Sequence, residues 1–549
     1  MRTSTMACCF PFSSVEEALL AGGDARIALD AATGLTAYGS SVRSDPGVVA
    51  FASTTANHLT PRGRSAAQAM LERALTEVAP GNAGEWYGAQ MNALRDRLLA
   101  QYGVPGTTAV FSASGTDAEM LALHIALRQR LDDLTNVVIA SDEIGSGIAY
   151  ASLARHFSTC SPLGGPVKPG ARLEGFPHRL IHKRSVELRD ADGCPRPLFE
   201  VDAELAAVTR SEVDSGRRIL LHLVDFAKTG VGGPSLESVH ALAERHADRM
   251  DVLVDACQFR CSPDRIRQYL EAGCMVIITG SKFFHGPPFS AALLVPPHLA
   301  QADVAVVPQG MAAYSSAWDW PEHWRHATGT LMRAPNWGLL HRWEAAWAEM
   351  SAFAAVPEAT KLLIVGRFNA GVAQAARRQP RMRLLPTAML RDTREMSSSA
   401  SWDSIPTVFN LSVYSDLALQ CPLDLEQARM LHRWMYSRAA AALPQPLSSA
   451  QRMIADTRFL LGQPVRYANG PSGGVALRIA LSAADVVDMH NSGGSASDVQ
   501  REVQCRVDLV EQAMHKLCML IEHCAILANW ASPPRAPEPE GRRCATTVR

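Results

Sequence analysis

Short apolar runs alternate with amphipathic segments through the middle of the chain. The apolar runs predict strands at 107–112, 136–140, 219–224, 252–256, 275–279 and 291–295. Between them, apolar residues recur at helical spacing at 117–129, 236–247 and 264–271. Strands that are apolar on both sides are typical of parallel sheets covered by helices on both faces. The pattern therefore predicts an α/β domain with a mainly parallel sheet.

The two flanks of this region have a different pattern. Helices are predicted at 66–79, 86–102, 423–437 and 498–527, and strands at 407–412 and 475–481. The C-terminal set predicts a second, smaller α+β domain. We divide the chain into an N-terminal segment with helices at 1–83, a large α/β domain at 84–310, a connecting segment with the small domain at 311–530, and a disordered tail at 531–549.

Composition narrows the class of protein. The chain has 549 residues, of which 47% are hydrophobic and 19% charged, and this balance excludes a disordered chain. A formal net charge of -1 gives no field that would attract nucleic acid or anionic lipid. The N-terminus lacks a signal-peptide pattern, and no run approaches the roughly 18 apolar residues of a membrane span. We expect a cytoplasmic protein whose partner is a small molecule, with no nucleic acid and no membrane.

The cysteines do not predict a metal site. There are 12 of them, scattered and without CxxC pairs, which is typical of reduced core residues. Cys257 and Cys261 form a CxxxC, but no second ligand pair follows at zinc spacing.

A candidate anion site follows the first predicted strand of the large domain. Ser114-Gly115-Thr116 ends that strand and opens a helix, so free backbone N–H groups, the positive end of the helix dipole and two hydroxyls meet there. A serine in this position is also an ordinary helix N-cap, so phosphate binding needs support from other motifs.

That support comes from the ends of two successive predicted strands. Asp255 ends one of them and Gln258 follows it, while Lys282 follows the next, preceded by the hydroxyls of Thr279 and Ser281. Parallel strands bring both ends to one edge of the sheet, where ligands of open α/β sheets collect. A lysine for a Schiff base, a carboxylate for a ring nitrogen and an anion site predict pyridoxal 5'-phosphate as cofactor. Taken singly, Asp255 is also compatible with a strand-end cap or metal ligand, and Lys282 with a solvated loop lysine; the P-loop glycine pattern is missing.

These motifs resemble those of a known family, the fold type I pyridoxal-phosphate enzymes of aminotransferase class V, which include cysteine desulfurases and kynureninases. Asp255-x-x-Gln258 looks like the D-x-x-Q of that group, and Thr279-x-Ser281-Lys282 looks like its [ST]-x-H-K. The resemblance spans roughly 84–481. It implies that Asp255 binds the ring nitrogen, Gln258 the ring oxygen, Lys282 the cofactor aldehyde, and Ser114-Gly115-Thr116 with Thr279 and Ser281 the phosphate.

Other positions match the group less closely. Ser281 stands where a histidine is usual, and the stretch 141–147 has no aromatic residue at the place of the usual ring-stacking histidine. Asp225 lies where the family usually supplies an asparagine, and we expect it to contact the cofactor. Thr330 resembles the threonine of an R-x-G-T element that reaches the phosphate of the neighbouring subunit, although here the spacing is R-x-x-x-G-T. The resemblance thus implies a homodimer with shared sites.

Arg478 is the candidate for substrate binding. It is the only charge on the alternating strand 475–481, and its guanidinium suits a carboxylate bidentately. Its position looks like that of the arginine that binds the substrate's α-carboxylate in fold type I enzymes, although an arginine snorkelling from an edge strand fits the same pattern. Tyr38-Gly39 and the turn at 461–464 are further candidates for the pocket lining.

Together these features predict an enzyme that acts on an amino acid or related amine through a Lys282 Schiff base, with an aminotransferase as the main hypothesis. A lyase for C–C cleavage or β-elimination, or a decarboxylase of the same fold, is the alternative. Desulfuration is disfavoured because Cys421, the one cysteine between positions 338 and 478, leads into a predicted helix. A non-catalytic scaffold is a remote alternative, because such a protein would be expected to have lost Lys282 or Asp255.

Overall fold

The computed structural model describes residues 10–31, 33–54, 57–128, 132–387, 401–416, 421–467 and 474–528. Within these ranges the strands are β1 (Val48–Phe51), β2 (Thr108–Ser112), β3 (Leu134–Ile139), β4 (Cys160–Ser161), β5 (Gly165–Pro166), β6 (Ile181–Val186), β7 (Arg218–Val224), β8 (Met250–Ala256), β9 (Met275–Thr279), β10 (Ala291–Val295), β11 (Met382–Leu384), β12 (Val408–Asp416), β13 (Cys421–Pro422), β14 (Arg458–Arg466) and β15 (Val475–Ala480).

The α-helices of the same ranges are α1 (Val15–Leu20), α2 (Pro61–Glu77), α3 (Ala83–Tyr102), α4 (Gly115–Leu127), α5 (Ile148–Ala151), α6 (Leu198–Asp214), α7 (Leu236–Arg245), α8 (Pro263–Glu271), α9 (Pro297–Ala300), α10 (Trp337–Ala355), α11 (Glu358–Arg377), α12 (Leu425–Met435), α13 (Ser449–Asp456), α14 (Ala483–Ser492), α15 (Ala496–Glu522) and α16 (Cys524–Ala528). Several begin at a serine N-cap, as α4, α7 and α8 do.

The large domain is built on a seven-stranded sheet in the order β2-β10-β9-β8-β7-β3-β6. Strands β9, β8, β7, β3 and β6 are parallel to one another, and β10 is antiparallel to both of its neighbours, β2 and β9. All residues of β2, β3, β7, β9 and β10 are buried, as the apolar runs require of strands covered on both faces. The predicted α/β fold class with a mainly parallel sheet is confirmed.

The C-terminal region forms a second, six-stranded sheet. Its order is β1-β14-β15-β12-β11, and β13 pairs with β12. The helices α11 and α15 pack against each other beside it, so this region is the predicted smaller α+β unit.

Strand β1 joins the N-terminal segment to the second sheet. It lies within 1–83, which we expected to be a separate helical segment, but it pairs in parallel with β14, with Val48 opposite Arg458. A four-residue strand whose partner lies some 410 positions away leaves no local signal in the sequence. The predicted helix at 498–527 also divides, since α15 ends at Glu522 and α16 begins at Cys524. The predicted disordered tail at 531–549 lies outside the described residues.

Candidate active site

A cavity of about 270 Å³ lies at the carboxyl ends of β7, β8 and β9. The N-terminus of α4 closes one side, the segment around Arg478 and Gln463 another, and Arg26 and Tyr38 from the N-terminal segment a third. The cavity is close to the lower end of the size range of about 300–1,000 Å³ for small-molecule sites. The edge of the sheet on which it lies is the one where ligands of open α/β folds bind.

The phosphate-loop candidate forms the first turn of α4. Ser114 is the N-cap, and its hydroxyl accepts a hydrogen bond from the Asp117 N–H at 3.3 Å while the Asp117 carboxylate accepts one from the Ser114 N–H at 2.8 Å. Helix geometry leaves the N–H groups of Gly115 and Thr116 without an intrahelical acceptor. Both residues line the cavity, so these donors lie where an anion would bind.

Asp117 places a carboxyl group behind that turn. The side chain is buried, and its Oδ1 has no hydrogen-bond partner within the part of the chain that the structure describes. Burial raises the pKa of Asp117 to about 7, with Asp24 adding to the shift and Arg26 opposing it. A protonated Asp117 would not repel an anion at the helix N-terminus.

Gly115 lets the first turn of α4 pack against the segment that follows β8. A Cβ atom at position 115 would lie 2.5 Å from Cys257 Sγ, so only glycine allows α4 to approach the segment that follows β8. That segment is the one that carries Asp255 and Gln258. The two motifs are therefore in direct contact across the floor of the cavity.

Asp255 and Gln258 both reach the cavity. Asp255 is half-buried, and its Oδ1 accepts a hydrogen bond from the Cys257 N–H at 2.9 Å. The Gln258 amide donates to the Thr54 carbonyl at 3.2 Å, and its Oε1 is buried without a partner in the described chain, as is Thr54 Oγ1. Such orphaned polar atoms on a cavity wall indicate that a polar ligand or ordered water completes the site.

Lys282 is half-buried and lines the cavity together with Ser281 and Thr279. The Thr279 hydroxyl donates to the Cys257 carbonyl at 2.7 Å, and this hydrogen bond links β9 to the segment after β8. Ser281 is 7% exposed and stays at the wall beside the lysine. The three residues that the sequence grouped around Lys282 are thus brought together with Asp255.

Arg478 enters the cavity from β15 of the second sheet. Its Nε and Nη2 donate to the Gln463 carbonyl at 3.0 and 2.7 Å, and its Nη1 donates to the Lys228 carbonyl at 3.4 Å. Burial lowers the pKa of Arg478 to about 9, which leaves the guanidinium charged at neutral pH. The backbone carbonyls fix its orientation. Of the other pocket candidates, Tyr38, Gln463 and Pro464 also line the cavity.

Two predicted site residues lie elsewhere in this chain. The Asp225 carboxylate accepts hydrogen bonds from Tyr269 at 2.8 Å and from Cys261 at 3.0 Å, and the side chain is not part of the cavity wall. His222 and Phe226 line the cavity, and Asp225 lies out of phase with them, on the other face of the segment. Thr330 is exposed, donates to the Val307 carbonyl at 2.5 Å and does not line its own chain's cavity.

The structure adds residues that the sequence did not single out. Glu119 and His222 both line the cavity, with Glu119 Oε1 lying 3.2 Å from His222 Nε2 and accepting a hydrogen bond from Asn136 at 2.7 Å. Ile144 stands in the stretch where a stacking aromatic was missing, and it presents an apolar side chain to the cavity. Lys228 is a second lysine of the wall. Only its position three residues after Asp225, a predicted site residue, could have indicated from the sequence that Lys228 lies near the site.

The residues present fit pyridoxal 5'-phosphate. The N-terminus of α4 provides anion-binding donors for the phosphate, Asp255 an acceptor for the ring nitrogen, Gln258 an amide at the wall, and Lys282 an amine for the aldehyde. Among the described residues, no group of three or more His, Cys, Asp or Glu side chains is arranged to bind a metal ion. Within the same residues no helix has the length and apolar character needed to cross a membrane.

Comparisons with known proteins give structural similarities only. No protein-family model matches the chain, and no curated protein matches it by sequence. The cysteine desulfurase CsdA from Escherichia coli is 12% identical, with 85% of this chain and 95% of that chain covered at a TM-score of 0.47. The ureidoglycine-glyoxylate aminotransferase from Bacillus subtilis is 12% identical, with 85% and 99% covered at a TM-score of 0.45.

A third similar structure is a lysine-to-alanine mutant of C-DES with glycine covalently linked to its PLP cofactor. It is 13% identical, with 84% of this chain and 97% of that chain covered at a TM-score of 0.48. One of these proteins is a cysteine desulfurase, a kind of enzyme that the sequence motifs resemble. Because all three similarities are weak, the fold class of this chain rests on its own sheet topology, and its function is inferred from its own cavity.

Proposed function

We propose that the protein is a pyridoxal-phosphate-dependent enzyme that acts on an amino acid or a related amine, most simply as an aminotransferase. One observation supports this proposal above all. Lys282, Asp255 and Ser114-Gly115-Thr116 come from three separate parts of the chain, and they line a single cavity. A lysine, a carboxylate and a helix N-terminus in one cavity match the three chemically distinct parts of this cofactor.

When bound, the cofactor supplies an aldehyde that condenses with amines and a ring that accepts the electron pair released at the substrate's α-carbon. Lys282 Nζ would hold the cofactor covalently and, once displaced by the substrate amine, move the proton at the α-carbon as a general base and acid. Asp255 would keep the ring nitrogen protonated. Arg478 would orient the substrate by binding its α-carboxylate bidentately.

The cysteine of the cavity wall does not favour desulfuration. Cys257 is packed beneath Gly115, and burial raises the pKa of its thiol well above the usual range, with Asp255 adding to the shift. A thiol held protonated is a poor nucleophile. Lysis or decarboxylation would use the same residues up to the first proton transfer, so product analysis separates these reactions from transamination.

The test of the proposal is covalent trapping of the cofactor. The protein incubated with pyridoxal 5'-phosphate and reduced with borohydride should carry the label on Lys282, and mass spectrometry of its peptides should locate it there. The Lys282→Ala variant should lose the label, while Lys168→Ala, at an exposed lysine, should keep it. A label on Lys228, or no label in the wild type, would contradict the assignment.

A homodimer with Thr330 acting on the partner's site remains part of the proposal. The exposure of Thr330 and its absence from the cavity of its own chain support a role outside its own subunit.

A further inference from the structure

Lys228 is a half-buried cation of the cavity wall that the mechanism proposed above does not use. Its backbone N–H donates to the Glu143 carbonyl at 3.2 Å, and its own carbonyl accepts from Arg478 Nη1 at 3.4 Å. This contact joins the segment that follows β7 of the large sheet to β15 of the second sheet. The side chains of Lys228 and Arg478 both line the same cavity.

The ammonium group of Lys228 has unused donor capacity. Its one hydrogen bond within the described residues is to the Ile144 carbonyl, at 3.4 Å. An ammonium has three donors, and a carbonyl at that distance satisfies one of them weakly. A charge that is partly removed from water in this way is stabilised when an anion pairs with it.

The nearby carboxylates are already engaged. Glu143 accepts from Arg189 at 2.6 Å and also from Thr229, and Glu119 is bound by Asn136 and lies against His222. Asp255 faces the part of the cavity that we assign to the ring nitrogen. None of the three accepts a hydrogen bond from Lys228 Nζ, although Glu143 and Asp142 offset part of its charge from a distance.

Electrostatics agree with this geometry. Burial lowers the pKa of Lys228 to about 8, and the charges of Arg478 and Lys282 add to the lowering while Glu143 and Asp142 oppose it. The ammonium therefore remains mostly charged at neutral pH. The positive charges of Arg478 and Lys282 repel the Lys228 ammonium, and a bound anion would relieve that repulsion.

The charges of the cavity can be matched to the groups of a ligand. Lys282 is assigned to the cofactor aldehyde, Asp255 to the ring nitrogen, and the N-terminus of α4 to the phosphate. Arg26 of the wall is paired with Asp24. Of the cations discussed above, Arg478 and Lys228 then remain in the same cavity. One α-carboxylate satisfies Arg478 and leaves Lys228 without an anion.

We propose that Lys228 and Arg478 together bind two acid groups of one substrate, so that the substrate is an amino acid with a second acidic group in its side chain. This inference rests on the proposed function for the amino-acid part of the substrate. The two cations themselves are properties of the chain, and they can be tested without catalysis.

The test compares the binding of unreactive acids by calorimetry. Succinate and butyrate have the same chain length but two and one carboxylates, and glutarate and valerate form a second such pair. The wild-type protein should bind the dicarboxylate on the order of tenfold or more tightly than its partner, because a second buried charge pair is formed. Lys228→Met should bring this ratio close to one and leave the affinity for butyrate unchanged.

Matched variants separate the role of the charge from a role in folding. Lys228→Arg should keep most of the preference, and Lys168→Met, at an exposed lysine, should keep all of it. If Lys228→Met does not fold, Lys228→Gln takes its place. Equal binding of both acids by the wild type, or an equal loss of both in Lys228→Met, would overturn the inference.

Measurements on the cofactor-free and the cofactor-loaded protein distinguish the two proposals. A borohydride-stable label on Lys282 without any dicarboxylate preference would overturn the substrate class and leave the proposed function intact. A Lys228-dependent preference in a protein that takes up no pyridoxal 5'-phosphate would overturn the proposed function and leave the paired-cation site standing.

Discussion

At the residue scale, the neighbours of each side chain decide what it can do. Asp225 and Asp255 are both aspartates at the ends of neighbouring parallel strands, in one register with Val224 opposite Asp255. The first carboxylate is bound by Tyr269 and Cys261, whereas the second faces the cavity. Lys228 and Lys282 are alike in this respect, since each lines the cavity and each follows a strand that pairs with β8.

The role of Asp255 can be tested by removing its charge. In Asp255→Ala we expect the cofactor to remain attached and the exchange of the substrate's α-proton with solvent to slow by several orders of magnitude, because the ring nitrogen loses the carboxylate that keeps it protonated. Deuterium incorporation followed by NMR measures this rate. The control is Asp264→Ala at an exposed carboxylate, which should exchange at the wild-type rate. A near-normal rate in Asp255→Ala would show that this carboxylate has another role.

At the scale of elements, helix α4 carries both the proposed anion site and part of the core. Its first turn contacts Cys257 through Gly115, and its third turn carries His124, which packs edge-on against Phe176 and Trp320. A strand-helix unit with Ser114 as the N-cap is a local feature of the sequence. The close approach of this helix to the segment after β8 is a contact between elements, and it depends on the absence of one Cβ atom.

Gly115→Ala tests that approach. The new methyl group would overlap Cys257 Sγ, so we expect a destabilisation of about 1–3 kcal/mol, typical of overpacking, together with weaker retention of pyridoxal 5'-phosphate. The double variant Gly115→Ala/Cys257→Ala removes the overlapping sulfur and should recover much of both. Thermal unfolding and equilibrium dialysis of the cofactor provide the two measurements.

The matched control for this substitution is Gly366→Ala in α11. There the new Cβ would lie 3.7 Å from Ile405 Cδ1, at ordinary contact distance in a helix interior. It should be neutral or stabilise the protein by roughly 0.5–1 kcal/mol. If Gly115→Ala behaves like this control, the close packing of α4 does not limit cofactor binding.

His124 gives α4 a testable pH dependence. Its Nε2 lies 3.1 Å from the Ala305 carbonyl, and burial lowers its pKa to about 4, from roughly 6.5 in an unfolded chain. The neutral form is thus favoured by folding, and this contribution to stability is present above pH 6.5 and is lost as the pH falls toward 4. We expect His124→Gln to flatten the dependence of the unfolding free energy on pH in this window by up to about 1.4 kcal/mol per pH unit. Identical slopes in denaturation curves of the two proteins would contradict the assignment.

At the scale of the whole molecule, the cavity exists because two sheets and the N-terminal segment meet. Asp255 and Lys282 come from the large sheet, Arg478 from the second sheet, and Arg26 and Tyr38 from the N-terminal segment. Exposed Val306 and Met332, at 60% and 56% exposure, flank the stretch that contains Thr330. Large apolar side chains exposed at one place are typical of a protein interface.

That surface is where we expect the proposed dimer to form. We expect Met332→Glu to shift the protein from dimer to monomer in sedimentation, because it places a charge in an apolar interface. The control is Phe199→Ser on α6, where the phenylalanine is 73% exposed, and this variant should leave the dimer intact.

If sites are shared, mixing Lys282→Ala with Thr330→Ala subunits should restore about a quarter of the sites by random assortment. A fully active monomer would exclude a shared site.

The sequence by itself determined the elements and the motifs that they carry. The apolar runs placed β2, β7, β8, β9 and β10 to within two residues, because a strand buried on both faces requires an apolar residue at almost every position. The same local reasoning placed Ser114 at a helix start and Asp255 and Lys282 beyond neighbouring strands. Their convergence followed from one general property, that successive parallel strands end at the same edge of a sheet.

Only the tertiary structure decided which other side chains join them. Strand β1 pairs with β14 across most of the chain, and Arg478 meets the carbonyl of Lys228 across a separation of 250 residues. No periodicity encodes such contacts, because periodicity reports which face of an element is buried and not what lies against that face. For the same reason the sequence could not separate Asp225 from Lys228, which lie three residues apart. In the folded chain Asp225 accepts a hydrogen bond from Tyr269, whereas Lys228 lines the cavity.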